Sequence, residues 1–335
     1  MAPGERTIAR TWLGSVAIVL SLTTTAHPST AQSTASFTLL SYNVRGLPSG
    51  LSFPGERFPT IGSLANQYDV VLTQEMFGGE DKLAGQMQGK QAIEGLGLRG
   101  DPGKIILKAL ALPFTFFVPD FWPPFGSGLY TFVDSGMVSK DAAPDVERVP
   151  YGACSGFVSS GADCFSRKGL LRVRIQTRTG VEIDVYNTHL DSGSDEDSQN
   201  ARWSQLKELA CVIDSHGTAR PVIVAGDLNI GYARAGDQQI LAAFRDHLGL
   251  VDSGAGPENK RWRERDYILY RDGDSMRLIV DQSGEATAFV QGDYALSDHP
   301  ALFARFRVEP DPSASHRVPA RPRFNCDAST AAYGS

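Results

Sequence analysis

The stretch Val222-Ile223-Val224-Ala225-Gly226-Asp227-Leu228-Asn229-Ile230 runs apolar and then sets a carboxylate and a carboxamide two positions apart. It reads as a buried strand delivering polar groups to a sheet end. Period-two alternation places Asp227 and Asn229 on one side of the extended backbone and Leu228 on the other, while Gly226 permits a close approach. An acid and an amide aimed together suit a hydrated metal or a phosphate. Taken alone, they suit a turn equally well.

The same pattern recurs along the chain. An alternating strand over 37–44 delivers Tyr42-Asn43-Val44-Arg45, and a second buried strand over 69–75 ends in Glu75. A hairpin over 170–190, turning at Thr179-Gly180, ends in Asn187-Thr188-His189. Asp266 opens a strand over 266–270, and Ser297-Asp298-His299-Pro300 precedes the last strand, 301–308. Helices are expected over 61–68, 82–94, 198–216 and 237–248; in the third, Leu206, Leu209, Ala210 and Ile213 recur at helical spacing. The acidic residues 191–197 lack the spacing of a twelve-residue calcium loop and are expected to be solvated. Strands interspersed with helices, without a linker inside 36–308, predict a single α/β domain.

With 335 residues, 41% of them hydrophobic, the chain is long enough to bury a large core. Arg6 and Arg10 precede an apolar run from Trp12 to Leu22, and small residues follow. This predicts a secretory signal over 1–31, cleaved near 26 or 31, and too short to span a membrane, which takes about 20 apolar residues. A short leader (32–36), a catalytic domain (37–308) and a loosely ordered, proline-rich tail (309–335) complete the organisation. Removing Glu5, Arg6 and Arg10, a net +1, moves the formal charge from −6 to −7. Nothing here resembles a basic nucleic-acid field. The even set Cys154, Cys164, Cys211 and Cys326 favours disulfides in an exported chain, with Cys154–Cys164 and Cys211–Cys326 the preferred pairing.

Each polar strand end has a structural explanation of its own, as a cap, a core amide or a surface histidine. Six together point to chemistry. Carboxylates and amides outnumber two imidazoles, a balance that fits a hard, oxygen-liganded cation such as Mg²⁺ with histidines left for proton transfer.

The order YNV, QE, NTHL, GDLN, RDY and SDHP resembles the endonuclease/exonuclease/phosphatase superfamily over nearly all of 37–308. The resemblance implies an α/β fold of four layers, a two-sheet β-sandwich flanked by helices, and hydrolysis of a phosphoester with a divalent cation. Mg²⁺ is expected, or else Mn²⁺, Ca²⁺ or Co²⁺. It further implies that Glu75 is the main metal ligand with Asn43 beside it and Asp298 near the metal region. Asp227 would orient the attacking water and Asn229 would hold a phosphate oxygen. His299, held by Asp266, would be the general base, and His189 would bind phosphate or assist the leaving group.

Two stretches resemble bacterial and neutral sphingomyelinases more narrowly: Tyr42 to Pro48, and Asp163-Cys164-Phe165-Ser166-Arg167-Lys168-Gly169. By that resemblance Lys168 contacts the phosphate, and the substrate is a choline phospholipid or sphingomyelin at a membrane surface. The rings of 112–125, interrupted by prolines, would give such an enzyme an apolar contact with lipid. No Trp-rich hairpin lies between Asp266 and Ser297, a departure from that group. The expected protein is a secreted monomer, extracellular or periplasmic. The same residues also suit a secreted deoxyribonuclease-like endonuclease acting on nucleic acid, and the fold also suits a catalytically inactive adhesin or toxin-subunit binding module.

Overall fold

The structure is a computed structural model that describes residues 1, 35–47, 52–97, 125–138, 143–155, 163–231, 234–254, 265–312 and 324–326. The signal-like residues 2–31 and the aromatic residues 112–124 lie outside the described residues. The chain separates into Met1–Gln32 and Ser33–Ser335, and every element below belongs to the second unit.

The first elements are β1 (Ala35–Gly46), α1 (Pro54–Ala65), β2 (Val70–Met76), α2 (Glu80–Ala84), β3 (Lys90–Glu94) and β4 (Tyr130–Asp134). Next come β5 (Val146–Pro150), β6 (Gly169–Gln176), β7 (Glu182–His189), α3 (Glu196–Ser215), β8 (Val222–Asp227) and α4 (Ala235–Leu248). The chain closes with β9 (Val251–Asp252), β10 (Asp266–Arg271), β11 (Met276–Glu285), β12 (Val290–Gln291), β13 (Tyr294–Ala295) and β14 (Leu302–Pro310). One sheet has the order β11-β14-β1-β2-β4-β3 and the other β5-β6-β7-β8-β10-β9, with β12 and β13 a separate hairpin.

Alternation sends neighbouring side chains into different layers. Leu39, Leu72, Val185, Ile223 and Phe306 fill the space between the sheets. Leu40 and Val71 turn outward onto Phe58, Ile61 and Leu83 of α1 and α2. Val224 and Tyr186 turn outward onto Leu206, Leu209 and Phe244 of α3 and α4. The central strands are therefore covered on both faces, which is why they read as continuous apolar runs. Each fully buried Val, Leu, Ile or Phe contributes roughly 1.5–3 kcal/mol. The result is two mixed six-stranded sheets flanked by helices, the expected fold.

Three expectations need correction. The helix read over 82–94 stops at Ala84; Gly89, with φ +73°, then turns the chain into β3, which pairs with β4 from Lys90↔Asp134 to Glu94↔Tyr130. The helix read from 61 starts at Pro54, a residue suited to a first helical turn because its missing N–H has no intrahelical acceptor there. Asp191 is not solvated: it is fully buried, accepting hydrogen bonds from the Ser155 amide at 2.9 Å and the Ser155 hydroxyl. β5 and β11 carried no legible signal, since β11 buries only Leu278 and so lacks alternation.

The disulfides join Cys154 to Cys164 and Cys211 to Cys326. Among the described residues no helix is long and apolar enough to cross a membrane.

Candidate active site

The register of the second sheet assembles the site. Parallel pairing of β7 with β8 sets His189 opposite Asp227, and antiparallel pairing of β8 with β10 sets Asp227 opposite Asp266. Gly226 makes this possible: its φ is +144°, and a Cβ there would lie 1.9 Å from the Thr188 carbonyl oxygen. From the first sheet, parallel β1 and β2 bring Asn43 and Glu75 to the same end. Glu75 and Asn229 both have left-handed backbone, φ 56° and 50°, as does Arg45 at 48°. Such conformations cost about 1–3 kcal/mol each and re-aim a side chain out of the pleat.

Asn43 fastens the two sheets together here. Its Nδ2 donates to Glu75 Oε1 at 2.9 Å and to Asp227 Oδ2 at 3.1 Å, while its Oδ1 accepts from the Arg45 amide at 3.0 Å. Asp227 Oδ1 accepts from the Asn229 amide at 2.9 Å, and Asn229 Nδ2 donates to the Leu190 carbonyl at 3.0 Å. His189 Nε2 lies 3.4 Å from Asp227 Oδ2 and 4.0 Å from Glu75 Oε1. His299 Nε2 lies 3.7 Å from the same Asp227 oxygen, and its Nδ1 is 2.8 Å from Asp266 Oδ2.

Lys168 joins this group from behind. Its Nζ donates to His189 Nε2 and to the Leu190 carbonyl, both at 2.9 Å, and pairs with Asp163 at 3.0 Å. Because an ammonium only donates, His189 accepts at Nε2 and carries its ring proton on Nδ1. That Nδ1 is buried and without a hydrogen-bond partner.

Asp298 stands apart. Its side chain is 52% exposed and lies 3.5 Å from Arg45 Nε.

Electrostatics follow from burying several acids together. Burial, then Asp266, pushes the Asp227 carboxyl up to about 6. Burial also raises Glu75 and Asp266, against the Asn43 hydrogen bond in the first case and the charge of His299 in the second. Burial, Lys168 and His299 together hold the His189 imidazole well below its ordinary range. For His299, burial pulls downward but the facing carboxylates, Asp266 foremost, lift it to about 10.

A divalent cation fits this donor set. Glu75, His189 and Asp227 bring one donor atom each within 4.8 Å of one another, and so do Asp227, Asp266 and His299. The His189 nitrogen is already taken by Lys168, so the donors left in the first group are carboxylate oxygens, the preference of a hard cation. Asp266 Oδ1 is buried and unpartnered. The Asn43 amide presents its nitrogen to the two acids, which makes it a tie between them in this arrangement.

Several residues of the site were not singled out by sequence. Gln74 Nε2 donates to Asn187 Oδ1 at 2.8 Å, and Asn187 Nδ2 donates to the Thr73 and Tyr130 carbonyls, bridging the sheets beneath the cluster. Their signal was present: an amide inside an otherwise apolar strand must find partners within the core. Ser297 Oγ donates to the Asn43 carbonyl at 2.7 Å and accepts from the His299 amide at 3.3 Å. Arg57 donates to the carbonyls of Val44 (3.1 Å), Arg45 (2.8 Å), Ser52 (3.0 Å) and Leu296, strapping the end of β1 to the loop that carries His299. No sequence pattern marks such an arginine.

Comparison with known proteins agrees with this architecture. Sphingomyelinases of Mycobacterium bovis and Mycobacterium tuberculosis are 27% identical over 300 residues, covering 82% of this chain and 53% of theirs. The chain thus spans about half the length of these curated relatives. Among solved structures, the fold is similar to beta toxin from Staphylococcus aureus, with TM-score 0.54, 18% identity, and coverage of 80% of this chain and 99% of that one. A double mutant of the toxin with bound magnesium ions gives 0.54 at 17% identity, covering 81% and 99%. Sphingomyelinase C from Streptomyces griseocarneus gives 0.52 at 19%, covering 81% and 99%. The sequence model of the Endonuclease/Exonuclease/phosphatase family matches residues 40–299, and the chain belongs to that family.

Proposed function

We propose that this protein is a secreted, divalent-metal-dependent phosphodiesterase of the sphingomyelinase or phospholipase C type. The observation that carries the reading is the convergence of Glu75, Asn43, His189, Asp227, Asp266 and His299, from five strand ends and one loop, on a single buried cluster. A binding module has no need of a carboxylate-held imidazole facing a second buried acid.

The chain's own groups divide the work. Glu75 and Asp227 would hold the cation through their carboxylates, with Asn43 fixing their separation. When bound, the cation supplies positive charge beside a phosphate oxygen and weakens the hold of His299 on its proton. Asp227 aligns a water for attack on phosphorus. His299 takes the water's proton at Nε2, because Asp266 occupies Nδ1 and fixes the tautomer. Lys168, whose three N–H donors go to His189, the Leu190 carbonyl and Asp163, holds His189 in place as a positioning residue, and the Asn229 amide lies beside it at the Leu190 carbonyl. Neutral His189 spaces Lys168 from Asp227.

The mycobacterial sphingomyelinases support the lipid substrate, and the disulfides suit an exported protein. Purified enzyme should release phosphocholine from sphingomyelin vesicles in Mg²⁺, stop in EDTA, and leave plasmid DNA uncut. Cut DNA with intact lipid would overturn the substrate assignment, and no hydrolysis of either would overturn the enzymatic reading.

A further inference from the structure

Next to the carboxylate cluster is a cavity of about 70 Å³ whose walls include none of the groups assigned above. Phe77, Glu80, Glu94, Phe125 and Tyr130 line it. The chain fixes where it lies. Phe77 follows Glu75 by two residues, so their Cα atoms are no more than about 7–8 Å apart. The Phe77 amide donates to the Gly46 carbonyl at 3.0 Å, which anchors this turn to the end of β1. On the opposite wall, the Phe125 amide donates to the Phe165 carbonyl at 3.0 Å, and the Arg167 amide donates to the Phe125 carbonyl at 3.1 Å. Lys168 comes next. The cavity is therefore slung between the stretch that supplies Glu75 and the stretch that supplies Lys168, and both of those side chains meet at His189.

Its chemistry is selective. The Phe77 and Phe125 rings stand with centroids 6.4 Å apart and planes inclined at 59°, an angled aromatic wall. Glu80 projects from the first turn of α2 and Glu94 from the end of β3, where the Tyr130 hydroxyl hydrogen-bonds to it. Among the described residues neither carboxylate group is in an ion pair with lysine or arginine, and the Arg148 guanidinium is spent on the Glu94 backbone carbonyl at 2.7 Å. Ring faces and carboxylates attract a positive charge dressed in carbon, as a quaternary ammonium is. A bare Mg²⁺ gains little from rings and demands an oxygen cage, and an anion is repelled.

We propose that this cavity binds the organic ammonium head group of the substrate while the attached phosphodiester lies at the Glu75–Asp227 cluster. The proposal rests on the phosphodiesterase reading and gives it a specificity site: the two-carbon bridge of a phosphocholine-type ester would run from cluster to cavity along Met76 and Phe77.

The test has two arms, on wild type, on the Glu80→Gln/Glu94→Gln double variant and on Phe77→Leu, each checked for an unchanged circular dichroism spectrum. In the first arm, saturation transfer from protein to the N-methyl signal of choline chloride is measured by NMR. Transfer is expected with wild type and should be lost in the double variant and weakened in Phe77→Leu. In the second arm, kcat/KM is compared for p-nitrophenyl phosphorylcholine and for bis(p-nitrophenyl) phosphate, which has no cation. The double variant should lose about tenfold or more on the first ester and stay within about twofold on the second. Equal losses on both esters, or choline transfer that survives the double substitution, would overturn the ammonium site. Wild type that hydrolyses neither ester, yet shows choline transfer abolished by the double substitution, would sink the phosphodiesterase reading and leave the cation site standing.

Discussion

Asp266 Oδ2 lies 2.8 Å from His299 Nδ1, while the other ring nitrogen of His299 faces Asp227 at 3.7 Å. The imidazole is thus gripped on one side and aimed on the other, and its single reactive nitrogen points to the acid at the centre of the site.

Removing this group should remove catalysis. His299→Ala is expected to lower kcat by about 10²-fold or more while thermal unfolding stays near wild type. Asp266→Asn, which keeps the shape but not the charge, should lower kcat less and shift the acidic limb of the pH–rate profile downward, because the neutral amide no longer favours the imidazolium. Unchanged profiles in Asp266→Asn would contradict the coupling.

The same grip predicts how the metal-free protein responds to pH. An unfolded histidine gives up its proton near 6.5, whereas His299 in the folded protein holds it to about 10. Below 6.5 both states are protonated and the stabilisation is fully present; as pH rises through 10 it is lost. In EDTA, the melting temperature of wild type should fall more steeply between pH 6.5 and 10 than that of His299→Gln. Parallel curves would count against the raised affinity for protons.

Gly226 is a structural necessity of the cluster. Any side chain there meets the Thr188 carbonyl oxygen at 1.9 Å, and the fault lies in backbone, which cannot swing away. Gly226→Ala should cost about 3 kcal/mol or more in urea unfolding, at the upper end of overpacking penalties. A loss under about 1 kcal/mol would mean that β7 and β8 can separate freely.

The bridge beneath the site should matter for stability and, through it, for activity. Gln74→Leu leaves Asn187 Oδ1 buried and unpaired, an expected loss of about 1–3 kcal/mol by chemical denaturation. Replacing both residues by apolar ones of similar size should cost less than the sum of the single changes.

Much of this arrangement is legible in the chain. The apolar runs ending at Glu75, His189 and Asp227 declare buried strands, and alternation foretells which residues share a face, as Leu39 and Leu40 show by entering different layers. What escaped has physical reasons. β11 buries too little to show a period, and the 80–94 stretch has helical composition that Gly89 and pairing with β4 override. Asp298 follows the same motif as His299, yet it faces solvent and Arg45, because adjacent residues of a loop need not share a direction. Arg57 acts through backbone carbonyls that any residues would provide, so its partners leave no mark in sequence.

Asp227 and a divalent cation are expected to act together in hydrolysing a phosphodiester at this cluster. The most direct measurement is phosphocholine release from sphingomyelin vesicles by wild type and Asp227→Asn, each stripped with EDTA and then titrated with Mg²⁺. Wild type should be inactive after stripping and recover with Mg²⁺, while Asp227→Asn, folded by circular dichroism, should stay at least about 10²-fold below it at every Mg²⁺ concentration. Activity that persists in EDTA, or an Asp227→Asn enzyme that keeps more than about a tenth of wild-type turnover, would contradict it.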